Sequence, residues 1–522
     1  MRRVSSYPLF MSDNKRIAKN TMFLYVRMIL VMLVGLYTSR VVLKTLGVED
    51  YGLYNVVGGV VTMFTYLNAS LSSATSRYII LDLGKQDFAH LHKVFNVALF
   101  IHVIMAILVI ILAETVGLWF FYNKMVIPPE RHNAALWVYQ FSVITCFFSI
   151  TQCPYNAEII AHENFSIYAW IGIITAFMKL GVVFLLMISP IDRLIFYSML
   201  LCILQISTMV FYRYYCSKEF EECRIERFRL SDDKILLKGM FTYAGWEFIG
   251  DSVGFAQGQG LNILLNMFFG PIVNAAYGIA SQVQNAIVQL SNNFMLAVKP
   301  QIIKQYAVNK IGDMMLLVER SSCFSYYLMW LISFPILLET NYLLTLWLGE
   351  FPNHSISFLR LIIVICILQT LAAPRNAVFQ ASGKIKLPNL TVAPLMFSAL
   401  PIAYIALKMG AKAESVFWST IVITIIADIL HAFIMRKYVD FSLKNYFLKV
   451  HGRCFLVTVA SIIIPLLTFD KFMPQSFLRL ITTCVMTTAC VGITALYFGM
   501  DKLTRANLIK MIISKLKPSI QK

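Results

Sequence analysis

Long apolar runs separated by short polar connections recur along the chain from Thr21 to Met500. An α-helix needs roughly 20 apolar residues to cross about 30 Å of hydrocarbon, and each run is about that long. The pattern therefore predicts an all-α polytopic membrane protein with about 14 transmembrane helices. We place the spans at 20–43, 53–80, 93–121, 134–159, 166–188, 191–213, 237–266, 272–297, 321–346, 355–380, 389–408, 414–435, 452–469 and 477–499.

Charge supports this interpretation and gives the orientation. The chain is 58% hydrophobic and 14% charged, whereas soluble domains have about a quarter of their residues charged. If the N-terminus is cytoplasmic, the cytoplasmic connections hold 32 Lys and Arg residues and the outer ones hold nine. The positive-inside rule then places both termini in the cytoplasm. The net charge of +18 faces anionic lipid headgroups, so we expect the bilayer as partner and no nucleic acid.

The N-terminus has no cleavage site for a signal peptide, and either Met1 or Met11 suits as the start. The ten cysteines are scattered, so we expect no disulfide framework and no metal site. We find no catalytic constellation, and Ala381-Ser382-Gly383-Lys384 lacks the upstream glycine of a phosphate-binding loop. The sequence predicts no enzyme and no cofactor.

The two halves of the chain share short matches at a nearly constant offset of about 220 residues. Six spans separate the matching positions, so both halves have the same topology, as in transporters with parallel repeats. We expect two six-helix lobes around a central cavity: an N-lobe at 1–213, a cytoplasmic linker at 214–236, a C-lobe at 237–440, and two extra spans with a basic tail at 441–522. The matches are Met22-Phe23-Leu24-Tyr25 with Met240-Phe241-Thr242-Tyr243, Tyr51-Gly52 with Tyr277-Gly278, and Pro154-Tyr155-Asn156-Ala157 with Pro374-Arg375-Asn376-Ala377.

Charged side chains inside spans are the candidates for transport, because each costs about 2.5–3.5 kcal/mol at the centre of a helix. Glu247 and Asp251 lie one turn apart on one face of the seventh span, and we expect them to couple transport to H⁺ or Na⁺. Arg27, Lys179 and Arg375 are candidate substrate-binding cations; Arg27 and Arg375 also suit anchoring at the cytoplasmic interface.

Polar side chains at helical spacing on the second, seventh and eighth spans suggest the lining of a wet cavity. Helix packing is the alternative explanation for the small and hydroxyl residues among them. We assign no role to His102, Glu114, Glu158, Asp428 and His431. The candidate lining residues are Asn55, Thr62, Tyr66, Ser73, Asn262, Ser281, Asn285, Gln289 and Asn292.

The stretch LGVEDYGLY from Leu46 to Tyr54, the early basic residues of the first span and the lobe organisation resemble the flippases that export lipid-linked oligosaccharide repeat units of O-antigen or capsule. The resemblance covers nearly the whole chain. Their superfamily also contains the multidrug and toxic-compound extrusion pumps and the lipid II flippases. The resemblance implies a flippase of the bacterial inner (cytoplasmic) membrane with a polyprenyl-diphosphate-linked glycan as cargo. It also implies a glycan polymerase and a chain-length regulator as candidate partners.

A cation-coupled multidrug antiporter is the alternative function. That function predicts carboxylates and few cations in the N-lobe cavity. The first span instead contains Arg27 and has no Asp or Glu between Thr21 and Lys44, which favours an anionic cargo.

Overall fold

A computed structural model describes residues 13–124, 127–189, 191–224, 233–472, 474–501 and 505–506; some side chains within these ranges, mainly at 13–19 and 48–69, are also outside the description. The described residues fold as helices joined by short turns. The helices are α1 Asp13–Leu46, α2 Val48–Lys85, α3 Phe88–Leu112, α4 Leu118–Lys124, α5 His132–Ala161, α6 Phe165–Met187, α7 Arg193–Glu219, α8 Lys234–Phe269, α9 Pro271–Ala307, α10 Ile311–Leu338, α11 Thr340–Leu348, α12 Ser355–Thr370, α13 Ala373–Ser382, α14 Lys386–Phe397, α15 Ala399–Lys408, α16 Ser415–Arg436, α17 Leu443–Phe447, α18 Arg453–Phe472 and α19 Phe477–Thr494.

Ten helical segments in the described part of the chain are long and apolar enough to cross a membrane. They correspond to the predicted spans three to six and nine to fourteen. Helices also form at the other four predicted positions, as α1, α2, α8 and α9, but they are not among the ten. The polar and glycine positions of α2, α8 and α9 lower their apolar character, and in α1 the described side chains cover only the part Asn20–Gly35 of the apolar run.

The chain forms two compact units. The first comprises Met1–Asp251 and Leu296–Asn309, and the second comprises Ser252–Met295 and Lys310–Lys522. This division does not follow the predicted linker at 214–236. The first half of α8 bonds with α2, and the end of α9 bonds with the turn between α5 and α6, so parts of both helices belong to the first unit.

In the first unit, α5 is the central helix and packs against α2, α3 and α7, while α1 packs along α6. One apolar core of this unit joins side chains of α2, α3 and α5, among them Val57, Val109 and Val138. In the second unit, α10 packs against α12 and α19, and α16 packs against α12, α14 and α15. Trp330 of α10 donates a hydrogen bond to Ser461 of α18, with 2.9 Å between Nε1 and Oγ.

Three π-helical segments lie in the described helices: Ala113–Gly117, Leu448–Gly452 and Ala495–Gly499. Such segments interrupt the regular bonding of the α-helix, and lipid offers no other partners to the backbone. Here a side chain from a neighbouring helix bonds with each bulge: Tyr139 Oη donates to Ala113 O (2.7 Å), Tyr327 Oη to Gly499 O (3.0 Å) and Cys323 Sγ to Lys449 O (3.5 Å). Glycine makes this approach possible, because a Cβ at Gly117 would lie 2.1 Å from the Tyr139 hydroxyl.

Candidate functional site

Two carboxylates of α8 face two serines of α2 within the first unit. Ser73 Oγ donates to Glu247 Oε1 at 2.9 Å, and Ser70 Oγ donates to Asp251 Oδ2 at 3.0 Å. Glu247 is half-buried, whereas Asp251 is exposed. The structure thus brings together three predicted site residues, Ser73, Glu247 and Asp251. Ser70 was not predicted, although it lies one turn from Ser73 on the same face of α2.

Further groups surround this carboxylate pair. Tyr243, one turn before Glu247, donates its hydroxyl to the same Oε1 at 3.2 Å. The Arg77 guanidinium lies 5.1 Å from the centre of the Tyr243 ring. Lys299 of α9 is within electrostatic range of both carboxylates. The hydroxyl and carboxylate oxygens of this set suit a proton or a small hard cation, and the Lys299 ammonium competes with such an ion for the two carboxylates.

Arg27 of α1 lies against α6. Its guanidinium carbon is 4.4 Å from the centre of the Tyr168 ring. A Cβ at Gly172 would be 2.2 Å from Arg27 Nε, so the glycine provides the space for the arginine. The Nε atom is buried and has no hydrogen-bond partner. This guanidinium is therefore held by an aromatic ring and a glycine notch.

Lys179 lies two helical turns beyond Gly172 on the same face of α6, about 10 Å further along the axis. That face packs towards α1, since the buried Val183 shares it and clusters with Val42. Lys179 itself is exposed. The opposite face of α6 carries the exposed apolar side chains that suit contact with lipid: Trp170, Ile174, Phe177 and Phe184.

Arg375, predicted as a substrate-binding cation, lies in a closed environment in the structure. Its side chain is fully buried in the second unit and pairs with Asp428 of α16. His451 bonds with the other carboxylate oxygen of Asp428 at 2.7 Å, and the Tyr446 ring centre lies 5.9 Å from the guanidinium. Binding cargo requires a side chain that cargo can reach, and in this structure Arg375 is a structural ion-pair partner instead. Asp428, to which we assigned no role, is what compensates its charge.

The remaining predicted lining residues divide into two groups. On α9, Asn285, Gln289 and Asn292 are exposed along one face, and this face would be costly to place against lipid. Asn262 of α8 and Ser281 of α9 are half-buried. The side chains of Asn55, Thr62 and Tyr66 lie outside the described residues.

One charged contact of the first unit was not predicted from the sequence. Glu163 adopts a left-handed backbone conformation (φ 58°) in the turn between α5 and α6, and its buried carboxylate accepts a bond from Lys304 Nζ at 2.7 Å. Gln301 also donates to Glu163. At the end of α2, a Cβ at Gly84 would lie 2.8 Å from Ala307. These contacts fix the end of α9, but they join residues over a hundred positions apart, and no local pattern marks them.

No family sequence profile matches the chain, and no curated protein sequence matches it. Solved structures do match. A mutant of a MATE protein aligns with a TM-score of 0.71 and 14% identity, over 82% of this chain and 96% of that one. A multidrug resistance MATE family transporter of the MOP superfamily, in an outward-facing conformation, aligns with a TM-score of 0.69 and 15% identity over the same shares.

A MOP superfamily transporter from Pyrococcus furiosus, described as having a binding pocket of reverse polarity, gives a TM-score of 0.69 and 13% identity, over 82% of this chain and 96% of that one. Together with the ten apolar helices, this likeness identifies a multi-pass membrane protein. The chain has the fold of the MATE transporters of the MOP superfamily.

Proposed function

We propose that this protein is a translocase that moves a polyprenyl-diphosphate-linked oligosaccharide from the cytoplasmic to the outer leaflet by alternating access. In this proposal fourteen helices cross the inner membrane, as two six-helix lobes with two further C-terminal helices. The observation that carries the proposal is the pair of cations, Arg27 and Lys179, on the facing sides of α1 and α6.

The chemistry of these cations suits a diphosphate. Arginine presents a planar fork of donors that matches phosphate oxygens, and lysine presents a point charge. The Arg27 side chain is oriented by Tyr168 and Gly172, so less conformational freedom is lost when an anion binds. Lys179 is exposed about two turns further along α6, so a headgroup bound at Arg27 has a second cation along its path.

The driving force has two candidate sources. Outward movement of one negative charge across 100 mV, inside negative, releases about 2.3 kcal/mol, so a diphosphate with roughly two charges gains about twice that. Glu247 and Asp251 with their serine partners are the candidate site for a coupling H⁺ or Na⁺. Binding of the ion there changes the charge of α8 where it bonds with α2.

The second candidate function is cation-coupled multidrug extrusion. The observation that favours it is the exposed carboxylate of Asp251, a group that attracts cationic compounds. One structural neighbour is a multidrug resistance transporter, which also supports this function. This alternative assigns no role in cargo binding to Arg27.

The test compares glycan export and dye efflux in one strain. We expect Arg27→Ala and Lys179→Ala to reduce export, and Arg27→Lys to restore it only in part because lysine lacks the bidentate fork. Lys408→Ala is the matched control, since Lys408 is exposed at the end of α15. Protein amount in the membrane is measured for each variant. Unchanged glycan export in all variants, with dye efflux by the wild type, would favour the antiporter and overturn the proposal.

A further inference from the structure

A group of three potential metal ligands lies in the first unit, away from the carboxylates of α8. Glu158 and His162 are one helical turn apart at the end of α5, and Glu222 lies in the short 3₁₀ segment Glu221–Cys223 that follows α7. His162 Nε2 is 2.6 Å from Glu222 Oε1 and 3.7 Å from Glu158 Oε2. The three ligand atoms lie within 4.8 Å of one another.

The environment of Glu158 is the main evidence that this group binds a cation. Its side chain is wholly buried, and neither carboxylate oxygen takes part in a hydrogen bond. A buried carboxylate that has no hydrogen bond and lies near a second carboxylate is strongly unfavourable unless a cation or proton compensates it. Buried carboxylates of this kind are paired or bind metals. One of these oxygens, Oε2, lies 3.7 Å from His162 Nε2, so the group has the composition and spacing of a cation site.

We propose that Glu158, His162 and Glu222 bind one divalent transition-metal ion, with Zn²⁺ as the species that the ligands suit best. One imidazole and two carboxylates supply three of the four ligands of a tetrahedral zinc centre, and water supplies the fourth. An imidazole ligand disfavours Mg²⁺ and Ca²⁺, which prefer oxygen ligands alone.

The surrounding residues hold two of these ligands in place. The His162 ring stacks on Phe220, with 4.1 Å between ring centres and 12° between planes. His92 of α3 bonds through Nδ1 with the Glu222 carbonyl oxygen at 3.0 Å. Such outer contacts orient metal ligands and raise affinity. A metal here would fasten the segment after α7, where the charged connection to α8 begins, to the end of α5.

The experiment uses the purified full-length protein in detergent. After removal of metal with a chelator, Zn²⁺ is added and the bound metal is measured by elemental analysis and by titration. We expect about one zinc per chain in the wild type. Glu158→Gln and His162→Gln should each weaken binding at least about 100-fold, since even outer-contact changes cost 10–100-fold. Both variants keep the side-chain volume, and gel filtration confirms their fold.

His90→Ala is the matched control. His90 lies at the start of α3 and pairs with a single carboxylate, Asp82, at 2.7 Å, so its loss should leave zinc binding unchanged. Zinc should also raise the melting temperature of the wild type and of His90→Ala, but not that of Glu158→Gln. The proposal is overturned if the wild type takes up no zinc, or if Glu158→Gln binds zinc as tightly as the wild type does. In the first case Glu158 carries a proton instead.

Discussion

Replacing Ser73 by alanine removes one hydroxyl from the carboxylate site and leaves both carboxylates in place. The hydroxyl donates to Glu247 Oε1 at 2.9 Å, and Tyr243 donates to the same oxygen at 3.2 Å. The tyrosine bond survives the change, so Glu247 keeps one neutral donor. The variant therefore tests whether this oxygen cluster binds the coupling ion, with little effect on the packing of α2 against α8.

The size of the effect follows from the bond that is lost. A hydrogen bond to a charged group contributes about 1.5–3 kcal/mol. Ser73 and Glu247 are only half-buried, so the lower end of this range applies. Since 1.4 kcal/mol corresponds to a factor of ten, we expect the half-saturating concentration of the coupling ion to change about tenfold.

The direction of the change identifies the ion. If Na⁺ is the coupling ion, Ser73→Ala removes one oxygen that can bind it, and the half-saturating concentration of Na⁺ rises. If H⁺ is the coupling ion, Ser73→Ala removes a hydrogen bond that favours the charged Glu247 carboxylate. A lower proton concentration is then enough to protonate it. Cargo transport into proteoliposomes is measured in a Na⁺ series at fixed pH and in a pH series without Na⁺.

Ser72→Ala is the matched control, since Ser72 is also half-buried on α2 but points about 100° away from Ser73. The reasoning is refuted if Ser73→Ala and Ser72→Ala both keep the ion dependence of the wild type. If Glu247→Gln abolishes transport while Ser73→Ala keeps the ion dependence of the wild type, then the Glu247 carboxylate is needed for transport and the Ser73 hydroxyl is not.

Three further predictions concern stability and are read from thermal melting of the purified protein. Gly117→Ala should destabilise the protein by about 1–3 kcal/mol, because its methyl group displaces the tyrosine that caps the π-helical carbonyl; an unchanged melting temperature would contradict this packing. Arg375→Ala should cost about 3–5 kcal/mol by leaving a charge uncompensated, and Arg375→Met combined with Asp428→Leu should recover most of it; no recovery would mean that the ion pair itself stabilises the fold. Burial alone would raise the pKa of Asp192, but bonds from Arg131 and the start of α7 outweigh it and hold that pKa below its ordinary 3.8. The stabilisation is fully present above pH 3.8 and is lost as pH falls through the lowered pKa, so Asp192→Asn should lower the melting temperature at pH 7 and by progressively less as the pH is taken below 3.8.

Hydrophobic spacing was sufficient to locate the helices. Each predicted span coincides with a helix or a pair of helices, because a membrane requires long apolar runs with all backbone groups bonded internally. Hydrophobic spacing did not reveal where a span is broken into two helices. The predicted tenth span is two helices, and the second begins at Ala373, just before Pro374, which cannot continue a helix with normal bonding.

The site was predictable where its residues share a helix face. Glu247 and Asp251 are one turn apart, so their common orientation follows from helical geometry alone. Their partners on α2 come from about 180 positions earlier, and single-sequence spacing contains no such information. The same limit explains Arg375, since a cation inside a span looks identical in sequence whether a distant Asp428 neutralises it or cargo does.

The capped π-helical segments have a consequence for the order of assembly. The carbonyl of Ala113 accepts from the backbone N–H of Leu118 in its own helix and also from the Tyr139 hydroxyl of α5, and lipid can replace neither donor. The bulge after α3 therefore gains its second donor only once α5 is inserted and packed beside it. The bulge at Ala495–Gly499 likewise depends on Tyr327 of α10, a helix synthesised long before it. In both units, then, local backbone geometry is completed by a neighbouring helix during assembly.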